Sequence, residues 1–437
     1  MYRLNANTEM TIDRAVKYVE DFELATLPLL LKYERYDNWQ HDILNRAFED
    51  DTKPNNKIVH TYCNYISNTL TSYFMSNGVK YSADDESAVA ELNKIFRYND
   101  EQSHNYSLAK EASVFGVAYE LVYVDIRGNV RFKKLKATEC IPIYDNTLED
   151  ELLYLIRFYD SKDILEKEAT RIIEIYSRES IARYKGKNNA FQFVDEQPHG
   201  FTEYVPVSIY KNNEKQKNDF GMIITLNDAY DMTVSDSVND MAQFADSYLV
   251  LKGLGDVSDD DLRKMKINRT LLLDDESGAD FLVKNVNDAY AQNILNRLDS
   301  DIHKFSGSLD LTSDITALSG IAIKYRLIAM ENNAAAKQTE FKKGLLRRIE
   351  LISQIISVLG GASVITEIEI SFSRNLPTDE MEAAELVNKL RGIVSDETLL
   401  SLLPFVENAQ DELEKIKKSD DIYKDVESDE KVIEKTD

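Results

Sequence analysis

From Ser319 to Leu359 the chain runs for 41 residues without a proline. Within that run Phe341, Leu345, Ile349, Ile352, Ile356 and Leu359 recur at steps of four, four, three, four and three. Such stepping is the apolar stripe of an amphipathic α-helix, and Gly360-Gly361 behind it is a good terminator. A helix of that length spans ~60 Å if straight, more than a small domain is wide. Its first residues are ambiguous taken alone. Ile321, Ile323, Tyr325 and Leu327 alternate like a strand, while Ile321, Tyr325 and Ile328 share a helix face. Length decides for helix, because strands seldom exceed ~10 residues. Glu331-Asn332-Asn333 is the natural place for a bend. Lys337, Lys342, Lys343, Arg347 and Arg348 form a basic band along the same helix. Carboxylates of a neighbouring subunit account for that band as well as phosphates do.

The rest of the chain is organised around this element. Residues 11–50 carry a helical period (Ala15, Val16, Val19, Phe22, Leu24) that Pro28 interrupts, with Thr11 or Asp13 as cap. Asp51–Lys57 reads as a turn or linker, and a second helix follows with Ile58, Tyr62, Tyr65, Ile66, Leu70 and Tyr73 on one side, ended at Asn77-Gly78. Residues 118–210 are β-rich. Two apolar runs flank Arg127-Gly128-Asn129 as in a hairpin, further turns fall near Glu179 and Gly186, and "VPVSIY" is one more strand. The fold class is therefore α+β.

A helical period returns at Phe220, Ile223, Tyr230, Val234, Val238 and Met241, in a stretch (219–247) with six aspartates and no Lys or Arg. Such a run is ordinarily a solvated face; the functional alternative is a surface that must not adhere to a polyanion. A Gly-flanked insert of α/β character (248–287) separates it from a second helix, 288–305, with Ala291, Leu295, Leu298, Ile302 and Phe305 aligned. Helix, insert and helix make an out-and-back hairpin. It leads into a loop without period, Ser308–Leu318, ahead of the long helix. After a strand in "ITEIEISFSR" come two short helices, one capped by Thr378 and one starting at Ser395. Residues 419–437 alternate in charge with few apolar groups, the composition of a disordered tail.

The totals narrow the functional classes. A chain of 437 residues calls for more than one core, and 43% apolar residues suffice to build them. The balance of 77 acidic against 52 basic side chains, net −25, opposes tight binding to nucleic acid, whose affinity comes from Lys and Arg at phosphates. A role on DNA would be to guide it. No basic stretch and apolar run of a signal peptide opens the sequence, and no window approaches ~18 uninterrupted apolar residues. Cys63 and Cys140 are too few for a disulfide framework or a structural zinc site. The five histidines are scattered, and no HExxH, GxSxG, GxxxxGK[ST] or GxGxxG motif occurs. No catalytic residue, cofactor or resident metal is implied. Asp259, Asp260 and Asp261, and Asp274, Asp275 and Glu276, have the charge for a hard cation without the spacing of a calcium loop. They keep one alternative open, an acidic metal-dependent nucleic-acid enzyme. A capsid-associated scaffold without a channel is another.

Seven strings, in order across residues 50–418, carry a resemblance. They are "KPNNKIV", "FGVAYELVYVDIRGNVRF", "IPIYD", "NDAYDMTVSDSVNDMAQFADSYLVLKG", "SGIAIKYR", "FKKGLLRRIELI" and "FSRNLPTDEMEAAELVNKLRGIVSDETLLSLLPFVE". With them the chain resembles the portal proteins of tailed bacteriophages, in particular long-tailed phages of Gram-positive hosts. It departs at "YFMSNGVKY", where Gly78 stands at the family's proline position. The resemblance implies a subunit of a ring, usually of twelve copies, at one capsid vertex. Residues 1–217 would form the wing, 218–247 and 288–306 the stem, 248–287 the clip, 307–318 the tunnel loop, 319–376 the long kinked helix and a wing strand, and 377–418 the crown. Double-stranded DNA would be packaged through the channel by the large terminase subunit and later ejected. A head-completion adaptor, capsid and scaffolding proteins would be the other partners, with assembly in the host cytoplasm and residence in the virion. The tunnel loop is then Leu309, Asp310, Leu311, Thr312, Ser313, Asp314, Ile315 and Thr316. Asp228, Asp231, Asp236 and Asp240 are expected to line the stem channel, and Asp259, Asp260, Asp261, Asp274, Asp275 and Glu276 to meet terminase or adaptor at the clip.

Overall fold

The structure is a computed structural model of the chain. It describes residues 2–49, 53–162, 169–187, 190–201, 204–244, 249–252, 278–281, 288–310, 320–358, 368–374 and 380–403, with isolated positions beyond these. Leu311–Thr316 of the expected tunnel loop lie outside the described residues, as do Asp259, Asp261, Asp274, Asp275, Glu276, the Thr378 cap and the tail from 417.

The elements follow in the order β1 (Tyr2–Arg3), α1 (Ile12–Ala25), α2 (Leu27–Asp37), α3 (Tyr62–Met75), β2 (Val79–Ser82), α4 (Glu86–Tyr98) and α5 (Glu101–Phe115). Eight strands come next: β3 (Val117–Val124), β4 (Val130–Leu135), β5 (Cys140–Tyr144), β6 (Leu152–Ser161), β7 (Thr170–Tyr176), β8 (Ser180–Lys187), β9 (Ala190–Pro198) and β10 (Val207–Lys211). Then come α6 (Ile224–Phe244), β11 (Leu249–Lys252), β12 (Gly278–Phe281), α7 (Asp288–Ser306), α8 (Gly320–Val358), β13 (Glu369–Phe372), α9 (Glu380–Leu390) and α10 (Asp396–Ser401). The chain divides into two compact units, Met1–Ser313 with Arg326–Arg374, and Asp314–Tyr325 with Asn375–Asp437. In the second, Ser395 caps α10 by accepting from the Thr398 N–H, and Leu399 is buried.

In the first unit β1-β5-β6-β7-β8-β9 form one sheet and β10-β3-β4 a second, while β13 pairs with β2 and β11 with β12. The β3–β4 hairpin turns where the sequence places it, with the Asp125 carboxylate accepting from the Arg127 and Asn129 N–H groups. Ala15, Val19 and Phe22, one stripe of α1, pack with Ile141, Ile143, Ile156, Phe158 and Ile173 of the large sheet. Pro28 sits in the first turn of α2, where its missing N–H costs no helical bond.

Two regions differ from the sequence expectations. Helices α4 and α5 precede the β-rich region and have no counterpart in that reading. The irregular segment is longer than expected: it runs from 53 to 61 and takes in Ile58, and α3 begins only at Tyr62. Gly78 has φ +71° and a Cβ there would collide with the Gln102 side chain. Proline is locked near φ ≈ −65°, so this turn is built differently from one with proline at that position.

Helix α8 runs unbroken through Glu331–Asn333. Leu345, Ile349, Ile352 and Ile356 of its stripe are buried, and so are two members of its basic band. Arg348 donates to both oxygens of Glu120 on β3, at 2.9 and 2.8 Å, and to Glu101 at 3.1 Å. Tyr210 and His104 also hold Glu120, each at 2.7 Å, and the Phe132 ring lies 4.7 Å from the guanidinium carbon. Lys337 donates to Asp219 at 2.5 Å and to Asn212 at 2.6 Å. The carboxylates that meet Lys337 and Arg348 thus come from the same chain, not from a neighbour. Burial alone would push the Glu120 carboxyl up; the Arg348 charge and the hydrogen bonds outweigh it and bring it down to about 2.

Candidate functional site

The residues expected to line a channel lie on α6 and in the chain that leaves α7. Helix α6 packs on α7. Phe220 and Ile223 at the start of its apolar period are buried, but along α6 itself the buried face is a polar one. Tyr230, Val234 and Val238 are only half-buried and Met241 is exposed, whereas Asn227, Asp231, Ser235 and Asn239 are buried. A stripe of four polar residues at steps of four would ordinarily face water. Here it faces the backbone of residues 56–60. The Asn56 N–H donates to Asn239 Oδ1 at 2.7 Å, the Ile58 N–H to Ser235 Oγ at 2.9 Å and the His60 N–H to Asp231 Oδ1 at 2.7 Å, while Asn227 Nδ2 donates to the His60 carbonyl at 3.0 Å.

The match has a geometric cause. Alternate residues of an extended chain are ~6.6 Å apart, and residues four apart in a helix rise ~6.0 Å. Every second N–H of the segment therefore meets every fourth side chain of α6, running antiparallel. The string "KPNNKIV" is a strap laid along the helix, and its backbone polar groups are satisfied by side chains instead of a sheet.

Asp231 is the centre of this arrangement. Its carboxylate also meets His41 Nδ1 at 2.7 Å and His60 Nδ1 at 3.2 Å, and His41 stacks on Tyr36 with ring centroids 4.5 Å apart. Burial pushes its carboxyl up, and the hydrogen bonds from His41, from His60 and from the His60 N–H more than offset that, leaving it below the usual carboxylate range. Asp231 and His41 are both fully buried. Asp231 therefore cannot line a channel, and the expectation for this residue is overturned: its charge holds the strap and the segment around His41. Asp219, counted in the same acidic stretch, is buried against Lys337. Asp228 is half-buried and accepts from the Tyr36 hydroxyl at 2.5 Å, Asp236 is exposed and paired with Arg46 at 2.6 Å, and Asp240 is half-buried. Of the residues expected at a clip, Asp260 is described and is exposed.

Sequence spacing had no means of bringing His41 and His60 together on Asp231, because the partners are 190 and 171 positions away. The available signal was the polar repeat Asn227, Asp231, Ser235, Asn239 itself.

Helix α7 ends at Ser306, and Gly307 takes φ +66° beyond it, a left-handed C-terminal position that favours glycine. A Cβ there would lie 2.7 Å from Asn333 Nδ2, which donates to the Ser306 carbonyl. Tyr65 donates its hydroxyl to the Leu309 carbonyl at 3.0 Å. The chain leaving α7 is thus fastened as far as Leu309. Among the described residues no helix is long and apolar enough to cross a membrane.

Residues 16–424 match the family described as phage portal protein, SPP1 Gp6-like. The chain belongs to this phage portal protein family. Among its relatives, the portal protein of Bacillus phage SPP1 is 22% identical over 406 residues, covering 88% of this chain and 80% of that protein. The portal protein of Clostridium phage phiCD119 is 23% identical over 413 residues, covering 87% and 90%. The neck of an empty GTA particle computed with C6 symmetry is similar at a TM-score of 0.49 and 11% identity, covering 79% of this chain and 90% of that one.

Proposed function

We propose that this portal-family chain assembles into a ring, of twelve copies as is usual for the family, and forms the channel at one capsid vertex through which double-stranded DNA enters and leaves. The observation that carries this reading is the family match over residues 16–424. The out-and-back pair α6–α7 supports it, since it runs into the chain of the expected tunnel loop, where Leu309 and Asp310 stand. In this reading α6 and α7 are the stem, β11 and β12 belong to the clip, α9 and α10 to the crown, and the two sheets with α1–α5 to the wing. The half-exposed apolar stripe of α6, with Met241 65% exposed, is what a helix packed among neighbouring copies would present. The part is a structural one, in the virion, without sequence recognition of DNA. Terminase and a head-completion adaptor would dock at the clip, and capsid and scaffolding proteins at the rim.

Net charge suits passage. Acidic walls repel a duplex instead of arresting it, and with a Debye length of ~8 Å at physiological salt only charges near the lumen count. Asp228, Asp236, Asp240 and Asp310 are the described candidates for that lining. The deciding experiment is negative-stain imaging and native mass measurement of the purified protein, alone and co-expressed with scaffolding and capsid proteins. Rings of about a dozen subunits with a central hole wide enough for duplex DNA are expected. Particles without a hole, or monomer under both conditions, would overturn the reading.

A further inference from the structure

Where α7 hands over to the loop, three side chains of ligand chemistry converge. Asp299 and His303 lie one turn apart on α7, Asp310 follows in the loop, and one ligand atom of each lies within 4.8 Å of the others. The imidazole is already oriented. Its Nδ1 is 3.3 Å from both the carbonyl and the hydroxyl oxygen of Ser308, and its ring stands edge-on to Tyr62 and Tyr65 at centroid distances of 6.1 and 5.8 Å. That leaves Nε2 turned towards Asp299 Oδ1 at 3.8 Å. A ring nitrogen committed to a backbone carbonyl, with the other one presented outward, is how metal-ligating histidines are held. The same Asp299 oxygen, Oδ1, accepts from the Tyr62 hydroxyl at 2.7 Å, which holds the carboxylate in place and leaves lone pairs on both of its oxygens. Tyr65 fastens the Leu309 carbonyl immediately before Asp310.

The spacing has a simple chemical meaning. At 3.8 Å the Nε2···Oδ1 separation is too long for a hydrogen bond. Two ligand atoms each ~2.1 Å from a tetrahedral ion stand ~3.4 Å apart, so a small closure would seat a cation between them. We propose that Asp299, His303 and Asp310 bind a first-row transition dication such as Mn²⁺ or Zn²⁺, with the remaining positions open to water. One imidazole and two carboxylates suit such an ion better than Mg²⁺ or Ca²⁺, which take oxygen alone. Bound there, the ion ties the last turns of α7 to Asp310, beyond the Gly307 turn. Its bearing on a channel loop rests on the portal reading; ion binding rests only on the local geometry.

The test uses the full-length protein, freed of metal with a chelator and titrated with Mn²⁺ while free ion is followed by electron paramagnetic resonance. Saturable binding of a single ion per chain is expected, with spin-echo modulation from an imidazole nitrogen in the bound state. Asp310→Asn, on the loop, should bind about tenfold more weakly or worse while keeping the wild-type circular dichroism spectrum. Absence of saturable binding, bound Mn²⁺ without imidazole nitrogen, or unchanged affinity in folded Asp310→Asn would each overturn the proposal. Ring imaging is unaffected by these outcomes, so failure here and failure of the portal reading are separately visible.

Discussion

Helices α6 and α8 both bury polar side chains, and they use them for opposite purposes. On α8 the buried groups are charges set within an apolar stripe, Arg348 against Glu120 and Glu101, and Lys337 against Asp219. Each closes a contact between one side chain and another, so the helix is fixed to α5, β3 and the segment that leads into α6. On α6 the buried groups are mostly neutral and form the stripe themselves, and what they hold is main chain. The first arrangement fastens element to element where the pieces already have an apolar core. The second gives a fixed place to a segment that has no regular structure of its own.

The comparison can be broken at its strongest point. Replacing Arg348 by Met would leave Glu120 buried with its largest counter-charge gone, and should lower stability by about 3–5 kcal/mol, read as a fall in the urea midpoint. A loss under about 1 kcal/mol would mean that the network contributes no more than a surface pair. The same network sets an acid dependence. Because the folded Glu120 carboxyl is depressed to about 2, its contribution is fully present above the unfolded value near ~4.3 and is lost as pH falls towards the folded one. Wild type should therefore lose stability over that window more steeply than the Arg348→Met variant; identical slopes would remove Glu120 from the account. On α6, Asp231→Asn keeps the shape but loses the charge that two histidines and an N–H share, and should cost about 2 kcal/mol. Amide hydrogen exchange should accelerate at His60 while α8 keeps its protection. Asn239→Ala is the mildest change, about 1 kcal/mol, with faster exchange confined to Asn56 and its neighbours. If exchange rose along the whole strap, its bonds would be cooperative instead of independent.

What could be read from the sequence divides along the same line. The length and inner face of α8 were legible because Leu345, Ile349, Ile352 and Ile356 state a helical period locally, as were the β3–β4 hairpin and the Ser395 start of α10. Helix α5 was not, since it buries Glu101, Asn105 and Ser113 along with its apolar residues and so blurs its own pattern. The strap was illegible for a deeper reason. Its backbone donors are generic, and what distinguishes them is a set of acceptors more than 170 residues away. For the candidate site, a run of aspartates in 219–247 states charge but not direction. Asp219 and Asp231 turned inward, towards Lys337 and the two histidines, while Asp236 turned outward. The Asp299–His303 pair went unmarked among scattered histidines, because a four-residue spacing alone says nothing of a third ligand, and Asp310 joins it only through the left-handed turn at Gly307.

The ladder between strap and α6 also has a mechanical consequence. Its bonds lie side by side along the helix, so a pull on α6 along its own axis loads them together, in shear, instead of opening them one after another. Nor can the helix slip by one rung towards its C-terminus and re-engage fully. The next position in the series below Asn227 is Ile223, which offers no side-chain acceptor or donor. The ladder is thus indexed against that displacement: moved one rung towards its C-terminus, α6 would bring Ile223 to the His60 carbonyl in place of Asn227 and leave that carbonyl without its partner.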